Sequence, residues 1–272
     1  GAEDGAVDIL LVGTDSRTDA KGNPLSADEQ RMLRAGDEVA TNTDTILLIR
    51  IPNDGSSATA ISIPRDSYVQ VPGIGMSKIN AAYAYGQSPL LVQTIQDLVG
   101  VKINHVAKTD FEGFKQLTDS LGGVRVNNAQ ASPKYAEGPL DLDGDQALEY
   151  VRERKTLAEG DISRGQRQQA WLKGIMSETL TPGVLLNPSK LGGVIDAGTQ
   201  HTIVDEDLTT GTIRSEAIKL RGVRGSDIHF VTAPFSGYGT APNGGSIDIL
   251  DEAGMADLSD ALRTDHMESY QE

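Results

Sequence analysis

Short apolar runs near the start of the chain constrain its fold more than any other feature. Residues 7–13 (VDILLVG), 43–51 (TDTILLIRI) and 58–63 (ATAISI) each have the length and composition of a buried strand. The sequence PNDGSS between the second and third runs predicts a hairpin turn. Later strand-like runs alternate with helical patterns, for example at 88–99, 111–121 and 164–180. We therefore predict an α/β fold in which helices sandwich a mixed central β-sheet.

The organisation of the chain is simple. No Pro/Gly/Ser-rich linker divides its 272 residues, so we predict a single domain over 1–272. Residues 18–42 are polar and charged and are expected to form a flexible insertion, a length of loop that is usually functional or disordered. The sequence contains no apolar run of 18 residues. Its start, GAEDGAV, leads us to expect that a targeting or membrane-anchoring segment has been removed.

The charge balance excludes several classes of function. A formal net charge of −15 argues against a nucleic-acid partner. An anionic ligand would need concentrated local positive charge or a metal ion to overcome the long-range repulsion.

The sequence also lacks the motifs of several familiar chemistries. It has no cysteine, no GxGxxG, no Walker loop and no GxSxG. Its four histidines are scattered without metal-ligand spacing.

The segment 147–169, ALEYVRERKTLAEGDISRGQRQQ, groups Arg152, Arg154, Lys155, Arg164 and Arg167 in a protein whose formal net charge is −15. Guanidinium groups bind phosphate oxygens in pairs, so the cluster predicts a local anion site. Arg152 and Arg154 would share a face if the preceding helix ended near Tyr150 and the chain continued extended. Arg164 and Gln168 fall on one face of a helix, with Asp161 or Ser163 as its cap. The alternative is a solvated charged face.

Two aspartates stand at the ends of predicted strands. Asp15 follows the first strand and Asp44 begins the second. If these strands are antiparallel neighbours, the two carboxylates meet at one end of the sheet. Such a pair favours a hard divalent cation, and Mg²⁺ is the natural one beside phosphate. The alternative is a pair of turn-forming aspartates without a ligand.

Seven motifs together resemble the LytR-CpsA-Psr family of cell-envelope enzymes, over about residues 7–180: VGTDSR, NTDTILLIRI, SIPRDSYV, KINAAYAYG, DFEGFKQLTDSLGGVRV, LDGDQALEYVRERK and GDISRGQRQQ. The resemblance implies an α/β sandwich with a hydrophobic tunnel for a polyprenyl lipid. It implies an enzyme that transfers a glycan 1-phosphate from a polyprenyl-pyrophosphate carrier to the cell wall, usually to the C6 hydroxyl of peptidoglycan N-acetylmuramic acid. The location would be the extracytoplasmic face of the bacterial membrane, with an N-terminal anchor.

The resemblance also implies roles for individual residues. Asp15 and Asp44 match Mg²⁺-binding aspartates, with Mn²⁺ as the alternative ion. The residues matching the reaction site are Arg65, Arg152, Arg154, Asp161 and Arg164. Gln168 also matches a pyrophosphate-contacting residue and Lys78 a basic residue of the same site. The further substrate-binding candidates are Arg17 and Arg167. Asp161 would either accept a proton from the acceptor hydroxyl or orient an arginine, and its expected low pKa favours orientation. The insertion at 18–42 departs from the shorter loops of the family.

The lipid tunnel would lie between the sheet and its helices. We predict that its wall includes Ile46, Leu48, Leu91, Ile95, Phe111, Phe114 and Ile175. Mg²⁺ and the arginines would stabilise the charge that gathers on the leaving polyprenyl phosphate. Two other functions remain open, a metal-dependent pyrophosphatase that uses water as the acceptor and a lipid-carrier binding protein without turnover.

Overall fold

A computed structural model describes residues 5–14, 43–153, 157, 161–200 and 202–270, apart from the side chains of residues 43, 44, 111, 161, 162 and 225. In chain order its elements are β1 (Val7–Thr14), β2 (Thr43–Ile51), β3 (Ala58–Ser62), β4 (Tyr68–Val71), β5 (Gly75–Lys78), α1 (Ile79–Val99), β6 (His105–Thr109), α2 (Phe111–Ser120), β7 (Val124–Asn128), β8 (Gly138–Leu142), α3 (Gly144–Arg152), α4 (Asp161–Thr179), α5 (Pro182–Leu185), α6 (Pro188–Gln200), β9 (Thr202–Val204), α7 (Thr210–Lys219), β10 (Ile228–Thr232), β11 (Phe235–Thr240), β12 (Ser246–Leu250) and α8 (Glu252–Arg263).

Six strands form the central sheet in the order β10-β3-β2-β1-β6-β9. The β1–β2, β2–β3 and β6–β9 pairs are antiparallel, and the β1–β6 and β3–β10 pairs are parallel. The ends of β1, β3, β6 and β10 therefore meet the starts of β2 and β9 at one end of the sheet, which we call the front end. The opposite end, at Val7 and Ile51, is the back end. The predicted mixed sheet covered by helices is confirmed.

The two faces of the sheet are packed differently. Leu10 and Val12 of β1 and Leu48 of β2 are fully buried in a core that also contains residues of α1 and α8. The alternate residues of the same strands point to the other face, which is covered by helices later in the chain. There Leu11 and Ile49 are only partly buried. One face is thus densely packed, and the other retains space.

Local signals in the sequence explain where the helices of this second layer begin. Asp110 caps α2 by accepting a hydrogen bond from the Gly113 amide at 2.8 Å. Asp143 and Gln146 form a reciprocal capping box at the start of α3. In the described part of the chain, no helix combines the length and apolar content needed to cross a membrane.

Candidate active site

An elongated cavity of about 470 Å³ lies between the sheet and the second helical layer. It follows β2 from Thr45 at the front end to Ile51 at the back end. Its apolar wall comes from the sheet and from α2, α4, α6 and α7, and includes Ile9, Leu11, Leu47, Ile49, Phe114, Leu117, Trp171, Ile175, Met176, Leu180, Leu191, Ile195 and Leu220. Protein interiors contain few voids larger than a water molecule, so a cavity of this size is a candidate ligand site.

Cationic and amide side chains join the apolar wall of this cavity. Arg65, Arg152, Arg164 and Gln168 all line it, although they come from three separate segments of the chain. Thr14, Thr45 and Thr109, which also line it, place its polar part at the front end of the sheet. Arg164 is 5% exposed, so its charge is largely withdrawn from water. Three of the predicted arginines therefore line one cavity, and the local anion site stays a prediction for its polar front.

Each of these cations is held by a defined local structure. Arg65 follows β3 through Pro64, and its carbonyl accepts a hydrogen bond from the Asn80 amide at 3.2 Å. Arg152 is the last residue of α3, where a cation also complements the helix dipole. Arg164 and Gln168 are one turn apart on α4 and face the cavity together.

Helix α4 approaches the sheet layer closely because glycines face its neighbours. A Cβ on Gly165 would lie 3.1 Å from Ser62 Oγ, and one on Gly174 would lie 2.3 Å from Val124 Cγ2. The Trp171 indole donates a hydrogen bond to Thr118 Oγ1 at 2.9 Å. Its ring also stacks on Phe114 with centroids 4.0 Å apart. These contacts fix the helix that carries Arg164 and Gln168.

Part of the predicted tunnel wall is wrong. Ile46, Leu48, Leu91 and Ile95 belong to the dense core on the opposite face of the sheet, with 0–2% exposure. In the run TDTILLIRI both alternating sets of residues are apolar, so the sequence did not show which set faces the cavity. Phe114 and Ile175 do line the cavity, and the side chain of Phe111 lies outside the described residues.

Several predicted site residues also lie outside the described part of the chain. These are Asp15, Arg17 and Arg154, together with the side chains of Asp44 and Asp161. The described backbone pairs β1 with β2 in antiparallel orientation, with Thr14 opposite Thr43. Thr14 and the start of β2, which carries Asp44, therefore lie at the front end, and Thr14 lines the same cavity as the arginines. Among the described residues no group of three His, Cys, Asp or Glu side chains could hold a metal ion.

Two predicted substrate-binding residues do not line the cavity. Lys78 forms an ion pair with Asp66 at 3.4 Å. Arg167 is 4% exposed and points to the end of α3, where its Nη1 donates to the Tyr150 carbonyl at 3.0 Å and to Glu153 Oε2 at 2.5 Å. Burial raises the pKa of Tyr150, while the charge of Arg167 opposes this rise.

The predicted helix boundaries near the arginines also need correction. Helix α3 extends two residues past Tyr150, so Arg152 is helical and not extended as predicted. Ser163 lies inside α4, which begins at Asp161, and so it does not cap that helix. Sequence reasoning did not identify Asp110 as a site residue, yet this carboxylate is 5% exposed and lines the cavity. Its position directly after a strand at the front end was the available signal.

A family model described as "LytR_cpsA_psr family" matches residues 2–264. The cell wall biosynthesis protein LcpA of Corynebacterium glutamicum is 41% identical over 92% of the chain and 54% of its own length. The polyisoprenyl-teichoic acid–peptidoglycan teichoic acid transferase TagU of Oceanobacillus iheyensis is 32% identical over 89% of the chain and 70% of its own length. The chain thus spans about half the length of the corynebacterial relative.

Solved structures show the same fold at low sequence identity. The crystal structure of B. subtilis TagV has a TM-score of 0.77 at 20% identity and covers 99% of the chain and 100% of its own. A structure titled "TagT bound to LI-WTA" has a TM-score of 0.72 at 24% identity and covers 96% of the chain and 91% of its own. The match to the family model extends over almost the whole sequence, and on that ground the chain belongs to the LytR_cpsA_psr family.

Proposed function

We propose that this chain transfers a glycan 1-phosphate from a polyprenyl-pyrophosphate carrier to a cell-wall acceptor, with the C6 hydroxyl of peptidoglycan as the expected acceptor. The observation that carries the proposal is the placement of Arg65, Arg152 and Arg164 at the front of an elongated apolar cavity. A carrier with a charged pyrophosphate and a long apolar tail matches both parts of this site. The names of the relatives, a cell wall biosynthesis protein and a teichoic acid transferase, support the same class of reaction.

The arginines would act on the pyrophosphate in two ways. In phosphoryl transfer the protein contributes mainly positioning and electrostatic stabilisation. Guanidinium groups that are already withdrawn from water, such as that of Arg164, interact strongly with the charge developing on the leaving polyprenyl phosphate. Gln168, one turn away on α4, would donate an amide hydrogen bond to the same group.

A divalent cation is part of the proposal. Asp15 and Asp44 would hold Mg²⁺, or alternatively Mn²⁺, at the front end of the sheet, and two carboxylates beside phosphate are a suitable ligand set. When bound, the ion would neutralise charge on the pyrophosphate. Asp161 begins α4 and is thus three residues before Arg164. We favour a role for Asp161 in orienting arginine over a role as general base, because a carboxylate among guanidinium groups is a weak base.

The location and partners follow from this chemistry. The carrier is a membrane lipid and the acceptor is part of the cell wall, so the domain would act at the extracytoplasmic face of the membrane. An anchor outside the present sequence would hold it there. The acidic surface, with a net charge of −15, fits a protein without a nucleic-acid partner.

Transfer can be distinguished from hydrolysis and from simple binding with purified components. The protein is incubated with a polyprenyl-pyrophosphate-linked glycan, Mg²⁺ and isotopically labelled peptidoglycan fragments, and the products are identified by mass spectrometry. We expect polyprenyl phosphate together with a glycan phosphodiester on the labelled fragment. Free glycan phosphate without the conjugate would indicate a pyrophosphatase, and unchanged carrier bound to the protein would indicate a binding protein.

A further inference from the structure

Arg167 lies on the same helix as Arg164 and Gln168 but faces away from the cavity. Its Nη1 donates to the Tyr150 carbonyl at 3.0 Å and to Glu153 Oε2 at 2.5 Å. Tyr150 is in the last turn of α3, and Glu153 caps the end of that helix. Arg167 Nη1 on α4 therefore binds both the Tyr150 carbonyl in the last turn of α3 and the side chain of Glu153 at the end of that helix.

Aromatic rings enclose this guanidinium group. Its central carbon lies 4.4 Å from the ring centroid of Tyr150 and 5.6 Å from that of Tyr135. The two rings meet edge to face at 5.3 Å. Burial is the main cause that raises the pKa of Tyr135 to about 12, and the negative charge of Glu149 adds to it, so both rings remain neutral and available for cation–π contact.

The partner carboxylate makes a second hydrogen bond through the same oxygen. Glu153 Oε2 also accepts a hydrogen bond from Ser132 Oγ at 3.0 Å. Its side chain is 13% exposed, and that of Arg167 is 4% exposed. A largely buried ion pair that makes further hydrogen bonds has a restricted geometry, and removing one member leaves the other without its partner.

The location of this pair relates it to the arginines of the site. Arg152 directly precedes Glu153, and Arg164 is one turn before Arg167 on α4. We propose that Arg167 is a positioning residue, which fixes α3 against α4 and so sets the spacing of Arg152 and Arg164 around the pyrophosphate. This inference rests on the proposed function, and it replaces the sequence-based role of Arg167 as a substrate ligand.

Arginine is suited to this position for a chemical reason. A planar guanidinium can stack on Tyr150 while the same group donates in its own plane to a carbonyl and a carboxylate. A lysine ammonium would keep the charge but would lose this combination of stacking and directed hydrogen bonds. Small misplacements of catalytic groups reduce rates by about a hundredfold in other enzymes.

The first test compares Arg167→Lys and Glu153→Gln with a control, Arg125→Met. Arg125 is an exposed arginine that pairs with Asp141, so its replacement also removes a salt-bridged arginine. We expect the Arg167→Lys and Glu153→Gln variants to lose about tenfold to a hundredfold in kcat with a smaller change in KM. The control should transfer at the wild-type rate. Wild-type kcat in both site variants would overturn the inference.

The second test uses binding of inorganic pyrophosphate, measured by calorimetry, and so does not depend on turnover. If Arg167 acts by setting the spacing of Arg152 and Arg164, Arg167→Lys weakens binding in the wild-type background and weakens it clearly less in an Arg152→Ala background, where that spacing no longer matters. Independent, additive losses would show that Arg167 contacts the anion itself. Arg167 Nη2 is the group that could contact the anion in that case, because it is buried and has no hydrogen-bond partner among the described residues.

These outcomes separate the inference from the proposed function. Coupled pyrophosphate binding without transfer would contradict the transferase proposal and support the positioning role. Transfer with additive losses would support the transferase and overturn the positioning role. A wild-type protein that does not bind pyrophosphate would overturn both. Glu153→Gln retains the size of the side chain, so the test stands even if the Arg167 variant does not fold.

Discussion

Replacing Ile49 by Trp should close the cavity to long lipids while leaving its front end open. Ile49 lines the cavity on β2, four residues beyond Thr45. Four strand residues span about 13 Å. An extended carbon chain advances about 1.2 Å per bond, so a geranyl tail of about eight in-line carbons reaches roughly 9 Å. A C50 polyprenyl tail has about forty in-line carbons, or roughly 48 Å, and must pass Ile49.

The substitution is expected to spare the fold, because the indole enters existing space. The matched control is Leu48→Trp, since Leu48 is fully buried in the dense core on the other face. Overpacking such a site costs about 1–3 kcal/mol. Stability of both variants can be measured by chemical denaturation, and the variant at Leu48 should be the less stable.

Ligand-induced thermal stabilisation measures the effect on binding. A ligand at about 100 times its Kd stabilises the folded state by about 2.7 kcal/mol. For a domain of this size that corresponds to a rise in Tm of about 5–10 °C. We expect this rise for wild type with either polyprenyl or geranyl pyrophosphate, and for the Ile49→Trp variant with the geranyl compound alone. An equal rise for the variant with the C50 lipid would refute the reasoning.

Three other predictions concern the site and its surroundings. Arg152→Ala should lower the rate of transfer more than tenfold, because a charge-assisted hydrogen bond contributes about 1.5–3 kcal/mol. The control Arg125→Ala should stay near the wild-type rate. Equal rates for the two variants in steady-state kinetics would show that Arg152 is only a surface charge. Asp44→Ala should abolish Mg²⁺-dependent transfer without lowering Tm, and transfer that survives both this change and a chelator would remove the metal. Burial raises the pKa of Asp205, but hydrogen bonds, first that of His105, outweigh it and lower the pKa below 3.8. The lowered pKa stabilises the folded state above about pH 3.8, and this stabilisation is lost as the pH falls below that value. The free energy of unfolding of the Asp205→Asn variant should therefore depend less on pH in this acidic range than that of the wild type. The same pH dependence in both proteins would contradict the prediction.

The pairing of the first two strands illustrates what the sequence could predict. Short apolar runs at 7–13 and 43–51 indicated buried strands. The polar residues directly after the first run and at the start of the second marked the strand ends where a site was expected. The observed register, with Thr14 opposite Thr43, meets the condition of antiparallel neighbours on which the interpretation of the two aspartates depended. Local composition and turn signals were sufficient here because both depend on a few adjacent residues.

Features that depend on tertiary contacts could not be predicted in the same way. Residues 248–250 form the end of β12, where the Asp248 amide donates to the Asp66 carbonyl at 2.9 Å, a contact between segments far apart in the sequence. The glycine-containing stretch VPGIGMSK has no clear strand pattern, yet β4 and β5 pair there as a hairpin. Arg167 looked like its charged neighbours in the sequence, and its pairing with Glu153 is a property of how α3 and α4 pack.

Photo-crosslinking tests the central claim most directly, namely that the cavity holds the lipid tail while the arginines hold its pyrophosphate. A C50 or C55 polyprenyl pyrophosphate with a diazirine midway along its tail would be irradiated with the protein, and labelled residues identified by mass spectrometry. The account predicts labels on cavity residues such as Ile49, Met176 and Leu180, and loss of label in the Ile49→Trp variant. Labels confined to surface residues, or present equally in that variant, would contradict it.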